Sequence, residues 1–155
     1  MINIGVCDDD KNFLDFIESR IIEILQDEKE NIRIHKFKNG RDFLKAYKKE
    51  DKPFDLIFLD INMPQIDGLE VAEIIRKKDE ESLLIFLTSM EEEVYKAFKY
   101  NTFRFIRKSH MDEELEEALI SAMEELAVEK HIFKTSQGQV VLSTNEILYF
   151  EFMER

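Results

Sequence analysis

The segments FDLIFLD (54–60) and LLIFLTS (83–89) constrain this chain more than anything else in it. Each is a nearly unbroken apolar run, the pattern of a strand buried on both faces, and such strands belong to parallel sheets covered by helices on either side. Amphipathic stretches of helical period separate them from other short runs. Ile2 to Cys7 reads as a strand. Phe13, Ile17, Ile21, Ile24 and Leu25 recur at helical spacing, which predicts a helix over about 10–27. IRIHKF (32–37) alternates as a strand, and 39–50 is an amphipathic helix whose start is marked by Asn39. Leu69, Val71, Ala72, Ile74 and Ile75 predict a helix over 65–81. EEEVYKAFKYN (91–101) is helical, with acids first and lysines later to suit the helix dipole. FRFIRK (103–108) is a strand, and 111–130 is a long helix with Leu115, Leu119, Ala122 and Leu126 on one face.

This order is strand then helix, five times over. It predicts a doubly wound parallel α/β sheet with right-handed crossovers. In such sheets ligands lie beyond the carboxyl ends of the strands. Asp8 and Asp9 follow the first strand, Asp60 ends the third, Thr88 the fourth and Lys108 the fifth, so all should meet at one edge. After about residue 130 the pattern changes: 132–152 holds two or three short β-type runs and an SQGQ turn, like the opening of an all-β module.

Bulk composition narrows the function. The 155 residues suit one domain, or one domain plus a fragment of another, and 44% apolar content is enough for a core. Net charge is −12, from 34 acids against 22 bases, which repels nucleic acid and anionic membranes across the mean surface. One cysteine, Cys7, leaves no internal disulfide, the apolar runs are too short to span a bilayer, and MINIGVCDDD carries acids where a secretory signal carries bases. A soluble cytoplasmic protein is expected, with no membrane partner.

Three apposed carboxylates without a counter-charge raise one another's pKa and cost stability. Asp8, Asp9 and Asp60 therefore suggest a bound cation. All-oxygen ligation favours Mg2+ (or Mn2+), with Asp9 and Asp60 as direct ligands, the backbone carbonyl of Asn62 as a further oxygen, and Asp8 acting through water or by positioning. Lys108 balances the remaining negative charge and Thr88 offers a hydroxyl. The set suits a phosphoryl group carried on Asp60 as an acyl phosphate.

These residues resemble the receiver domain of two-component response regulators. CDDD matches its acidic pair, FLDINMP and IDG (58–68) the segment around the phosphoacceptor, LTS (87–89) the switch threonine, and FRFIRK (103–108) the lysine with its preceding aromatic. The match spans residues 1–127. The resemblance implies a flavodoxin-like sheet of order 2-1-3-4-5. It makes Asp60 the phosphoacceptor, Asp8 and Asp9 the acidic pair, Thr88 and Phe105 the switch pair, and Lys108 the phosphate-binding lysine. It also implies a sensor histidine kinase as donor, and a phosphorylation-dependent homodimer through the face of the fourth helix, fifth strand and fifth helix (91–127). Lys96, Lys99, Arg104 and Arg107 against Glu113, Glu116 and Glu117 offer opposite charges for that dimer. The family usually has proline after the lysine, often cis; here Ser109 follows, so a trans bond or a shifted loop is expected. IFKTSQGQVVLSTNEILYFE resembles the opening of a LytTR-type DNA-binding domain, so 128–155 reads as a linker and the first strands of that domain, with DNA bound only through the part beyond Arg155.

Other readings stay beside these. An aspartate at a strand end is often a turn residue, Phe105 also fits as core filler, and Cys7 as a small buried apolar residue. His35, His110 and His131 show no metal spacing, and Gly68 beside Asp67 suits a tight turn. An aspartyl-nucleophile phosphohydrolase needs a second carboxylate two residues on, where this chain has Asn62. A phospho-independent assembly module is the remaining alternative. The expected chemistry is self-catalysed transfer to Asp60 and slow self-hydrolysis, tuned by Asn62 and the bulky Met90, rather than enzyme turnover.

Overall fold

The computed structural model describes residues 1–27, 31–49, 53–89, 94–127, 130–135 and 138–143. Its strands are β1 (Ile2–Cys7), β2 (Ile32–Phe37), β3 (Leu56–Asp60), β4 (Leu83–Thr88) and β5 (Arg104–Arg107). The helices are α1 (Lys11–Ile24), α2 (Gly40–Tyr47), α3 (Gly68–Arg76), α4 (Val94–Ala97) and α5 (Met111–Ala127). The five strands form one sheet in the order β2-β1-β3-β4-β5, and every neighbouring pair is parallel. This is the flavodoxin-like, doubly wound arrangement expected from the repeated strand–helix order.

All five residues of β3 are buried, as a central strand of a sheet covered on both faces requires. β1 and β4 flank it and are buried over most of their length. β2, at one edge, is half-buried except at the exposed Arg33 and Lys36. Phe37, Phe43, Tyr47 and Phe54 pack ring against ring beside it, with Phe37 and Phe43 edge to face at 5.1 Å.

Helices α1, α2 and α3 are shorter than their periodicity predicts, and local chemistry sets the limits. α1 starts at Lys11 because the Asp10 carboxylate caps the N–H groups of Asn12 and Phe13. Asn39 caps α2 as expected. The helix predicted over 65–81 is confined to 68–76. Gln65 has a left-handed φ of 71°, and Asp67 with Glu70 forms a capping box that starts the helix at Gly68. Beyond its end, the Asp79 carboxylate accepts the N–H groups of Glu81 and Ser82 and turns the chain into β4. Of the helix predicted over 91–101, the described residues are α-helical at Val94–Ala97 and then form a 3-10 turn, Phe98–Tyr100, closed by left-handed Asn101 (φ 50°); residues 91–93 lie outside the described set. Lys130, placed in the last helix by its pattern, instead begins a strand.

The chain divides into two compact units after Ile120, each described here by itself. In the second unit β6 (Lys130–Thr135) and β7 (Gly138–Ser143) pair antiparallel, with Thr135 opposite Gly138. This agrees with the β-type runs read there; residues 144–152 and two of the SQGQ residues lie outside the described set. No described helix is long and apolar enough to cross a membrane.

Candidate functional site

The sheet places the carboxyl ends of β1, β3, β4 and β5 side by side. Asp60 ends β3 with only 3% of its surface exposed, and Asp8, just past β1, is fully buried. Asp9 is exposed. One carboxylate oxygen from each of the three lies within 4.8 Å of the others. Lys108, after β5, reaches across the edge. Its Nζ donates to Asp8 Oδ2 at 2.6 Å and sits 3.1 Å from Asp60 Oδ1. Asp8 Oδ1 accepts the Asp10 N–H at 2.9 Å, which ties the acidic pair to the cap of α1.

Electrostatics follow from burial. Burial raises the Asp60 pKa to about 6; the Lys108 charge opposes the rise, and the Asp8 and Asp9 charges add to it. Burial works against the Lys108 ammonium, but its bonds to Asp8 and Asp60 carry its pKa above the usual value. Three carboxylates against one ammonium leave the site short of positive charge. The oxygen-only donor set, partly buried and open at Asp9, fits a hard divalent cation such as Mg2+. Burial also pushes the Cys7 thiol well up, and its Sγ lies 3.5 Å from Met63 Sδ, so it is packing rather than a nucleophile.

The other expected residues are placed by the elements that carry them. Thr88, ending β4, is buried. Asn62 lies exposed on the loop after Asp60. Phe105 on β5 is half-buried, stacked on Phe86 with centroids 5.9 Å apart and edge-on to Phe98 at 5.3 Å. Met90 lies outside the described residues. No cis peptide occurs among the described residues, and Lys108–His110 forms a 3-10 turn leading straight into α5, so the bond before Ser109 is trans.

One reading needs correction, and another is narrowed. Gly68 serves close approach rather than a tight turn: it is the first residue of α3, and a Cβ there would lie 2.1 Å from the Asp60 carbonyl oxygen. Part of the charge assigned to a dimer contact is used within the chain, since Arg104 pairs with Glu117 at 3.0 Å and Arg107 with Glu114 at 2.6 Å. Sequence reasoning missed Phe13, whose ring lies under Lys108, because its helical spacing marks it only as packing. It also missed Arg76, whose guanidinium holds the carbonyls of Asp79, Ser82, Tyr100 and Asn101; a lone arginine at a helix end carries no pattern.

Fold and site together define a doubly wound α/β domain with a cluster of three carboxylates facing a lysine at the carboxyl edge of its sheet. The chain belongs to the response regulator receiver domain family, whose model matches residues 4–120. It is 29% identical over 147 residues to the sensory transduction protein LytT of Oceanobacillus iheyensis, covering 94% of this chain and 57% of that one. It is 26% identical over 112 residues to the transcriptional regulatory protein YpdB of Escherichia coli, covering 72% of this chain and 44% of that one. The chain thus spans about half the length of these curated relatives. Among solved structures it resembles TrrA of Thermotoga maritima in complex with Mg2+-BeF, at TM-score 0.64 and 33% identity, covering 79% of this chain and 99% of that one. The BeF3-activated DrrB receiver domain matches at TM-score 0.64 and 29% identity, covering 80% and 98%.

Proposed function

We propose that residues 1–127 are a cytoplasmic receiver that takes a phosphoryl group on Asp60 from a sensor histidine kinase. The observation that carries this reading is the buried Asp60 carboxylate with Lys108 Nζ at 3.1 Å and two further carboxylates within 4.8 Å. A carboxylate oxygen of Asp60 forms the new P–O bond as the P–N bond of the donor phosphohistidine breaks, and its electron pair leaves with the imidazole nitrogen. Asp9, Asp60 and the Asn62 carbonyl would hold Mg2+ or Mn2+ directly, with Asp8 acting through water, and the ion supplies positive charge against the phosphoryl oxygens when bound. Lys108 exchanges its carboxylate partners for a phosphoryl oxygen, and Thr88 donates its hydroxyl to another.

The switch then follows from packing. Drawing Thr88 toward the phosphoryl group empties space that the half-buried Phe105 can fill. The change alters the α4–β5–α5 face and favours a homodimer, a two-state element biased by one local charge. Asn62 and Met90 set how quickly water removes the phosphoryl group.

Residues 128–155 act as a linker and the first strands of a LytTR-type DNA-binding domain, through which phosphorylation controls transcription. The antiparallel β6–β7 pair supports this, as does the LytT similarity, which covers 94% of the chain and so runs well past residue 120. The test is mass spectrometry of the purified chain after acetyl phosphate and Mg2+. The expected result is a gain of one phosphoryl group that Asp60→Asn loses. No gain in wild type, or an equal gain in Asp60→Asn, overturns the reading.

A further inference from the structure

Lys108 has a third neighbour that the charge pattern does not point to. Its Nζ lies 4.5 Å from the ring centroid of Phe13, in the first turn of α1, while the same atom meets Asp8 at 2.6 Å and Asp60 at 3.1 Å. A short relay places the Phe13 backbone. Asp8 Oδ1 accepts the Asp10 N–H at 2.9 Å, and Asp10 Oδ1 accepts the N–H groups of Asn12 at 2.8 Å and Phe13 at 3.3 Å. Phe13 is therefore tied to the same loop that carries the acidic pair.

We infer that Phe13 is a positioning residue for Lys108, its ring face holding the ammonium beside Asp60 while the lysine's anionic partners change. This rests on Asp60 being the phosphoryl acceptor. A cation over an aromatic face is attracted by the ring quadrupole, more strongly where water is partly excluded, and the Lys108 side chain is only 21% exposed. Asp8 and Asp60 compete with an incoming phosphoryl group for the ammonium N–H groups; a neutral ring competes far less. Lysine has a flexible four-carbon stem, so a fixed ring beside its tip removes wandering conformers before transfer. The opposing explanation is that Phe13 only fills space between α1 and the sheet edge, in which case any apolar side chain of similar size serves.

The experiment compares the full chain with Phe13→Leu, Phe13→Met and Phe13→Trp. One readout is the rate of phosphoryl uptake from acetyl phosphate with Mg2+. The other is the proton shift of the Lys108 ε-methylene in 13C-lysine-labelled protein, assigned with Lys108→Arg. Leu and Met should slow uptake at saturating acetyl phosphate about five-fold, with little change in the half-saturating concentration, and Trp should restore it. The ring-current displacement of the Lys108 signal should vanish in Leu and Met and persist in Trp. Met serves if Leu folds poorly. Uptake by Leu or Met within about two-fold of wild type, or a Lys108 signal indifferent to the ring, overturns the role of Phe13 alone. A wild type that gains no phosphoryl group at all fails earlier, at the acceptor reading, and takes this one with it.

Discussion

Gly68 rests directly on the backbone of Asp60: a Cβ at Gly68 would lie 2.1 Å from the Asp60 carbonyl oxygen and 2.9 Å from its carbonyl carbon. The Gly68 N–H also donates to the Ile61 carbonyl at 3.0 Å. The start of α3 and the end of β3 are thus locked together at the site. Because the obstructing atoms are backbone, they cannot rotate away. Gly68→Ala should cost about 2 kcal/mol of stability despite alanine's better helix propensity. Urea denaturation checks this, and a midpoint equal to wild type would show that the loop yields.

Asp60 supplies a pH prediction with a definite sign. Burial lifts its pKa from 3.8 to about 6, so between those values the folded state binds more protons than the unfolded. Stability from this group therefore falls as pH rises from about 4 to 6 and stays low above that. In chelator, Asp60→Asn should be more stable than wild type at pH 8 by about 3 kcal/mol, and the gain should fade near pH 4. Denaturation curves at the two pH values decide it; a gain independent of pH would assign the effect to something other than this carboxylate's charge.

Arg76 predicts a loss that charge alone does not explain. Its Nε donates to the Tyr100 carbonyl at 2.7 Å, Nη1 to the Asp79 carbonyl at 3.0 Å, and Nη2 to the carbonyls of Ser82 at 2.9 Å and Asn101 at 3.0 Å. A lysine keeps the charge but cannot fork across these acceptors. Arg76→Lys should lose about 2–3 kcal/mol. Amide exchange at Phe103, whose N–H donates to Leu84 at 2.8 Å, should quicken with it. Unchanged exchange there would mean that the loop before β5 holds without the arginine.

Divalent cations should stabilise the chain by mass action, because the carboxylate cluster exists only when folded. At about a hundred times the dissociation constant, Mg2+ should add about 2.7 kcal/mol. Asp9→Asn removes the exposed member of the cluster and should abolish most of that gain, leaving the cation-free melting temperature nearly unchanged. Thermal melts with and without Mg2+ measure both; an equal Mg2+ response in the variant would exclude Asp9 as a ligand.

Tyr47 offers a smaller, sharper case. Its hydroxyl donates to the buried Asp79 Oδ2 at 2.8 Å, and Asp79 keeps the N–H groups of Glu81 and Ser82 when that bond is removed. Tyr47→Phe should cost about 1 kcal/mol. A loss several times larger would show that the turn before β4 depends on the hydroxyl.

The order of residues determined the architecture. Runs such as LIFLD are short and unbroken up to their closing aspartate, the pattern of strands covered on both sides, and the helical periods between them supply the cover. The same order put Asp8, Asp60, Thr88 and Lys108 at strand ends, and the topology rule for parallel sheets brought them to one edge. Asn39 could be read as a cap because a cap is local. Tertiary structure alone decided how these groups engage. Asp8 and Lys108 stand 100 residues apart in the chain yet meet at 2.6 Å, and the face of Phe13 completes the lysine's surroundings. It also turned Gly68 from a turn residue into a seat on Asp60, and used Arg104 and Arg107 within the chain. Periodicity reports which side of an element is buried; it carries no record of which distant atom lies against it, and in this site that partner sets the charge, the pKa and the geometry.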